Sequence, residues 1–116
     1  MNTKIRYELE SKTNRKGESL IYLIMSYGFK EFDPKSKKQK YLPLKISTQR
    51  SIRKEDWDGF APTKKYIASK GNTTKLILNN IAIECESQLD FYVIEHKRRP
   101  HPNELKKIIE NKIRFK

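Results

Sequence analysis

The sequence contains a single cysteine, Cys85, so it cannot form an internal disulfide. This cysteine and two histidines, His96 and His101, do not make up any familiar set of zinc ligands. No apolar run approaches the roughly 18 residues that a membrane-spanning helix needs, and the N-terminus lacks the apolar stretch of a signal peptide. These absences favour a cytoplasmic protein that uses no cofactor, no metal and no membrane.

Motifs of catalysis are also missing from the sequence. It has no phosphate-binding loop, no GxGxxG and no nucleophile elbow. Glu84 and Glu86 are two residues apart and so do not share a helix face, while Asp56 and Asp58 flank Trp57 in a predicted loop. Neither pair has the pattern of a general acid and base. We therefore expect no catalysis by this chain and no small-molecule substrate.

The most prominent feature that is present is positive charge. The chain of 116 residues has 26 Lys and Arg against 14 Asp and Glu, which gives a formal net charge of +12. Such a charge predicts fast, salt-sensitive association with polyanions, and with nucleic acid in particular. The length suits one domain with one modest core.

The first half of the chain has the alternating pattern of an antiparallel sheet. Ile5 and Tyr7 begin a predicted strand whose apolar residues share one face. A second strand starts at Leu20 and can extend to Phe32, and a third covers residues 38–46. Because Pro43 cannot donate a ladder hydrogen bond, the third strand is expected to lie at a sheet edge or to bulge there.

The two faces of this predicted sheet differ in chemistry. Ile21 and Leu23 lie on the face that a helix would cover, whereas Tyr22 lies on the opposite, outer face. The third strand places Tyr41 and Lys45 on that outer face as well. Exposed aromatic rings beside lysines suit contacts with sugars, thymine methyl groups or bases, although tyrosine is equally common in protein cores.

The second half of the chain is predicted to be helical. Apolar residues recur every three or four positions from Ile77 to Tyr92, which predicts an amphipathic helix over residues 72–98, after a connector at 47–71 with one helical turn near 53–57. A short second helix is expected from Pro102. The predicted fold is α+β, a three-stranded antiparallel sheet packed against the long helix. The following residues are expected to form the shared core: Ile21, Leu23, Leu44, Ile81, Cys85 and Leu89.

Basic and acidic residues are segregated along the chain. Residues 35–54 include eight basic side chains and no acidic one, whereas residues 76–95 of the predicted helix include four acidic and no basic side chains. The outer face of the sheet would then be positive, and a ribbon of strands fits the major groove of DNA. We predict these DNA-binding residues: Lys12, Arg15, Lys16, Tyr22, Lys30, Lys37, Lys38, Lys40, Tyr41, Lys45, Arg50 and Arg53.

A second basic cluster lies near the C-terminus, at residues 97–99 and 106–116. Because it follows the end of the predicted long helix, we expect it to lie away from the sheet and close to the start of a linker. In that position it would graze a DNA backbone at most. It is therefore expected to contribute less to affinity than the sheet does.

Several short segments are recognisable when they are taken in order. Residues 16–23, KGESLIYL, resemble a KGExPIYLR segment, and residues 44–46 followed by 54–58 are similar to GIKV-x-PxxWD. Residues 99–106, RPHPNELK, look like a PTxEELK segment after a helix. Together these segments resemble the N-terminal arm-type DNA-binding domain of tyrosine recombinases, the integrases of phages and transposons. Ile24 stands where that family often has an arginine, and residues 27–40 are longer than its usual hairpin.

The resemblance implies a module that binds duplex DNA at arm-type sites and positions a site-specific recombinase of a mobile genetic element. It implies a domain at residues 1–99 with its sheet at 4–46. Residues 100–116 would hold a short helix and the start of a linker to a later catalytic domain. The source would be a bacterium or a phage, and the process DNA integration and recombination. Two alternatives remain: a protein-interaction module that docks another recombinase subunit, or a protein that stacks bases of RNA or single strands.

Overall fold

A computed structural model describes residues 3–113. The first two residues of the predicted 1–99 domain and the last three of the predicted 100–116 segment lie outside the described residues. The elements are β1 (Lys4–Leu9), β2 (Glu18–Ser26), β3 (Lys30–Asp33), β4 (Lys38–Tyr41), β5 (Leu44–Arg53), a 3-10 turn (Lys54–Asp56), α1 (Lys64–Lys70), α2 (Thr73–His96) and α3 (Pro102–Ile113). β1, β2 and β5 form an antiparallel sheet in the order β1-β2-β5, and β3 pairs with β4 in a separate hairpin. The predicted α+β class with a long helix is confirmed.

The predicted second and third strands are each divided in two. β2 ends at Ser26, and the chain turns through Gly28, whose φ of 80° is readily adopted only by glycine. On the return, Leu42 and Pro43 separate β4 from β5, and the Leu42 amide donates to the Phe29 carbonyl across the junction at 3.0 Å. The β3–β4 hairpin is therefore separate from the sheet. β5 lies at the sheet edge, as was predicted for the third strand, but Pro43 precedes it and does not lie within it.

β5 continues through the region that was predicted to be a connector. Opposite β2 its register shifts, because Leu20 pairs with Ser51 whereas Tyr22 pairs with Ser47. The Thr48 hydroxyl donates to the Ile21 carbonyl at 2.7 Å inside this bulge, so the disrupted ladder keeps a partner there. The prediction of a connector over residues 47–71 was thus wrong at both ends, because β5 occupies its beginning and α1 lies near its end. The predicted helical turn near 53–57 is confirmed.

The core lies between the inner face of the sheet and the helices. Five of the six predicted core residues, Leu23, Leu44, Ile81, Cys85 and Leu89, share one buried cluster. Ile21 lies in a neighbouring cluster with Ile52 and Leu78. Burial raises the pKa of the Cys85 thiol to about 12, so this side chain acts as a packed apolar group.

α3 packs into this same core. Leu105 and Ile109 are fully buried in the cluster that joins the sheet to α2. The chain reaches α3 through Lys97, whose left-handed φ of 58° ends α2, and then through Pro100. The helix that was expected to begin a linker is therefore part of the folded body.

Candidate nucleic-acid interface

The outer face of the sheet, on the side away from α2, is built from rows of side chains that cross the three strands. Arg6, Ile24 and Lys45 form one such row, because both Arg6 and Lys45 are paired with Ile24. Ile24 is only 4% exposed although it lies on this face. Its two basic neighbours, Arg6 and Lys45, are exposed.

A second row places an aromatic ring beside these charges. Glu8, Tyr22 and Ser47 are paired across the strands. The Lys45 ammonium lies 5.0 Å from the centre of the half-buried Tyr22 ring. This cation–π contact orients an exposed lysine above an aromatic ring. The pair presents one positive group and one apolar edge, which is the chemistry needed to contact a phosphate and a sugar or base together.

The β3–β4 hairpin repeats this arrangement. The Lys30 ammonium lies 4.8 Å from the centre of the Tyr41 ring, and the two residues are paired across the hairpin. Tyr41 is 68% exposed, and Phe32 beside it on β3 is 55% exposed. The hairpin therefore carries open aromatic surface together with positive charge.

One predicted contact at the hairpin is already occupied by an internal partner. The Lys40 ammonium lies 2.9 Å from an Asp33 carboxylate oxygen. The hydrogen bond from Lys40 and that from the Lys35 amide hold the pKa of Asp33 below its ordinary value. Lys37 and Lys38, which are exposed at the tip, offer less compensated charge than Lys40 does.

The remaining predicted residues are distributed over other parts of the structure. Lys12, Arg15 and Lys16 lie exposed in the β1–β2 turn, at the end of the sheet away from the hairpin. Arg53, at the end of β5, lies 3.8 Å from the Glu55 carboxylate. Arg50 lines a cleft with α2. It is therefore separated from the outer face that carries Tyr22 and Lys45.

Two basic residues of the outer face were absent from the predicted set. Lys4 pairs with Ser26 at the hairpin end of the sheet, and Arg6 lies in the row with Lys45. Arg6 is 3.5 Å from Glu8, which partly compensates its charge. The alternation along β1 contained the signal for both, since Ile5 and Tyr7 point inward and the residues between them must point outward.

The second basic cluster was expected to lie away from the sheet, but the structure places part of it beside the hairpin. Arg98 and Arg99 line an open cleft together with Gly28, Phe29 and Lys30. The end of α2 therefore meets the base of the hairpin. Arg98 and Arg99 thus adjoin Lys30 of β3 on one side of the molecule.

The outer face of α2 has the opposite character. Leu76, Ile83, Phe91 and Ile94 each expose more than half of their surface. Spacings of seven and eleven residues are close to whole turns at about 3.6 residues per turn, so these side chains form one stripe. The same geometry places Glu86 and Asp90 on one flank of the stripe and Glu84 and Glu95 on the other.

The described part of the chain contains no group of three or more His, Cys, Asp or Glu side chains that could hold a metal ion. Over the same residues, no helix is long and apolar enough to cross a membrane. Comparison with protein-family models, curated proteins and solved structures finds no match. The likeness to tyrosine recombinases thus rests on the sequence segments quoted above.

Proposed function

We propose that this chain is a duplex-DNA-binding module, the N-terminal arm-type domain of a site-specific recombinase, and that it lays the outer face of its sheet in the major groove. The observation that carries the proposal is the repeated lysine-on-tyrosine contact, Lys45 over Tyr22 on the sheet and Lys30 over Tyr41 on the hairpin. Each pair offers a phosphate ligand and an aromatic edge at adjacent positions, as a groove-binding surface requires.

The dimensions of the sheet support this mode of binding. Three strands spaced about 4.8 Å apart span roughly 10 Å, and the major groove is about 12 Å wide. β1, β2 and β5 form such a ribbon, and α2 and α3 pack on its inner face, so within residues 3–113 neither of these helices covers the outer face. The β3–β4 hairpin extends the same surface along the DNA.

The distribution of charge favours contact with DNA at the hairpin end of the sheet. Lys4, Arg6 and Lys45 lie toward that end, whereas Glu18 lies at the opposite end, where it accepts a hydrogen bond from Ser51 at 2.9 Å. A DNA backbone would be attracted by the cations at the hairpin end, and Lys12, Arg15 and Lys16 of the β1–β2 turn would attract it at the opposite end. We expect about five to seven phosphates to be contacted, with a log–log salt slope of roughly −4 to −6.

One binding series tests the proposal. Affinity for a 25-base-pair duplex of random sequence is measured against salt, beside a single strand and an RNA of equal length. Lys45→Glu should weaken duplex binding by about 2 kcal/mol, because one phosphate contact is lost and one repulsion is added. Lys75→Glu on α2 changes the net charge equally and is the matched control. A flat salt response, tighter binding of the single strand or RNA, or equal losses in the two variants would reject the proposal.

A second candidate function is protein interaction, and the apolar stripe on α2 favours it. Stripes of this kind on soluble proteins mark interaction sites. The four flanking acids select a partner helix whose apolar side chains lie between lysines and arginines, for example in another recombinase subunit. They disfavour the α2 of a second copy, whose acids would face them. A helical peptide with leucines flanked by lysines should bind, and the same peptide flanked by glutamates should not; equal binding of both would reject this function.

A further inference from the structure

Two contacts between distant residues join the sheet, the hairpin and the end of α2 at one junction. The buried Tyr27 hydroxyl donates a hydrogen bond to the Pro100 carbonyl at 2.8 Å. Burial raises the pKa of Tyr27, so this donor keeps its proton. The Phe29 ring meets the His101 ring edge-on, with the ring centres 5.2 Å apart. Residues 99–101 are therefore fastened to residues 27–29 by two contacts that bracket Gly28.

Gly28 gives one guanidinium a defined place at this junction. Its φ of 80° lies in the left-handed region, and a Cβ built on it would lie 3.5 Å from the Arg99 guanidinium carbon. The Arg99 guanidinium thus packs against the bare backbone of Gly28. Gly28 itself lies two residues beyond Ser26, the last residue of β2, so the guanidinium lies at the hairpin end of the sheet.

The neighbouring arginine is engaged elsewhere. The Arg98 guanidinium lies 3.5 Å from a Glu104 carboxylate oxygen and 5.1 Å from the centre of the Tyr92 ring. Hydrogen bonds from the Tyr92 hydroxyl and the His101 amide hold the pKa of Glu104 below its ordinary value, so Glu104 stays ionised for this pairing. The charge of Arg98 is therefore matched within the protein.

Neither Arg99 nor Lys30 is paired with a carboxylate among the described residues, although the Lys30 ammonium lies over the Tyr41 ring. Both line the same open cleft. Within residues 3–113, no carboxylate lies within 4.0 Å of either cation, whereas His101 beside them faces Glu31 at 3.8 Å. Two cations without a carboxylate partner that line one cleft make a site for an anion with several oxygens.

We propose that Arg99 and Lys30 form a clamp for one backbone phosphate of the bound nucleic acid. This inference rests on the proposed function. The planar guanidinium can donate two parallel hydrogen bonds to phosphate oxygens, and the lysine supplies a mobile point charge in the same cleft. Because residues 99–101 contact residues 27–29 at the base of the hairpin, a phosphate bound there would fix the position of the hairpin along the groove.

The test is a double-mutant cycle with Arg99→Gln and Lys30→Gln, measured on the full chain with the 25-base-pair duplex. Each single variant should lose about five- to tenfold in affinity, equally for all duplex sequences, and Arg99→Gln should reduce the salt slope by about 1. The double variant should lose clearly less than the product of the single losses, because both cations hold the same phosphate. Circular dichroism establishes that every variant is folded.

Lys97→Asn is the matched control. It removes one positive charge two residues from Arg99, lies outside the residues that line the cleft, and suits the left-handed backbone there. Its salt slope should equal that of the unmodified protein. If the unmodified protein does not bind duplex, the proposed function fails and the clamp fails with it. If it binds normally while Arg99→Gln keeps the full slope, or if the two losses multiply, only the clamp is rejected.

Discussion

The outer face of the sheet and the outer face of α2 lie on opposite sides of one core and differ in almost every property. The sheet face carries Arg6 and Lys45, and Ile24 between them is buried. The α2 face exposes large apolar side chains such as Ile83 and Phe91 between acidic residues. The proposed polyanion would be attracted by the basic face and repelled by the acidic one.

This difference shows what a helical pattern can conceal. α2 has a buried stripe that includes Cys85 and Leu89, and a second apolar stripe, with Ile83 and Ile94, on the opposite side. Because the two stripes oppose each other, the helix as a whole has little amphipathic character. A helix that is apolar on two sides can bury both sides only if each is covered by a partner. Within the described residues, the side with Cys85 and Leu89 is covered by the sheet and α3, and the side with Ile83 and Ile94 is exposed.

The largest effect is expected in the core that joins the two faces. Leu89→Ala should lower the free energy of unfolding by about 2–5 kcal/mol, because Leu89 is fully buried between the sheet and α3. Urea denaturation followed by circular dichroism measures it. Ile94→Ala on the same helix is the control and should cost less than ~0.5 kcal/mol. A loss below about 1 kcal/mol at Leu89 would mean that the helix does not support the sheet in the way described.

The sequence predicted the parts of the fold that depend on local periodicity. The inner face of β2 follows from the alternation of Ile21, Leu23 and Met25, and the buried stripe of α2 follows from spacings of three and four. The span predicted for the long helix, 72–98, differs from that of α2 by at most two residues at either end. These features need no knowledge of distant contacts.

The parts that were missed depend on irregularity or on long-range contacts. The bulge at Thr48 breaks the alternation, and the polar residues around it are typical of a loop, so β5 was ended too early. Arg99 lies against Gly28 where the Tyr27 hydroxyl bonds to the Pro100 carbonyl, 73 residues along the chain. No local pattern reports such a contact, and the two basic clusters were therefore expected to lie apart.

A smaller effect is expected for the aromatic part of the sheet face. Tyr22→Ala should reduce the difference in affinity between a duplex selected from a random pool and the unselected pool by about 1 kcal/mol, with little change in binding to the pool itself. The reason is that base-edge contacts specify sequence whereas phosphate contacts position the protein. Competition titrations at one salt concentration measure the difference. Tyr22→Phe keeps the ring and should retain the selectivity; an equal loss on both duplexes would contradict a role in reading sequence.

The smallest effect is expected on the α2 face, and it is the sharpest test of the comparison. The double substitution Ile83→Ser and Ile94→Ser should leave duplex affinity within about twofold and change the free energy of unfolding by less than ~0.5 kcal/mol, because both side chains are exposed and far from the core. The same variant should lose its affinity for the lysine-flanked peptide, since the apolar stripe is broken at two positions. Isothermal titration calorimetry with the duplex and with the peptide, on one preparation, measures both effects. If duplex binding is lost while the fold is intact, the acidic helix contacts DNA, and the assignment of DNA binding to the sheet face is wrong. If only peptide binding is lost, the two faces act independently, and a partner can bind α2 while the sheet is bound to DNA.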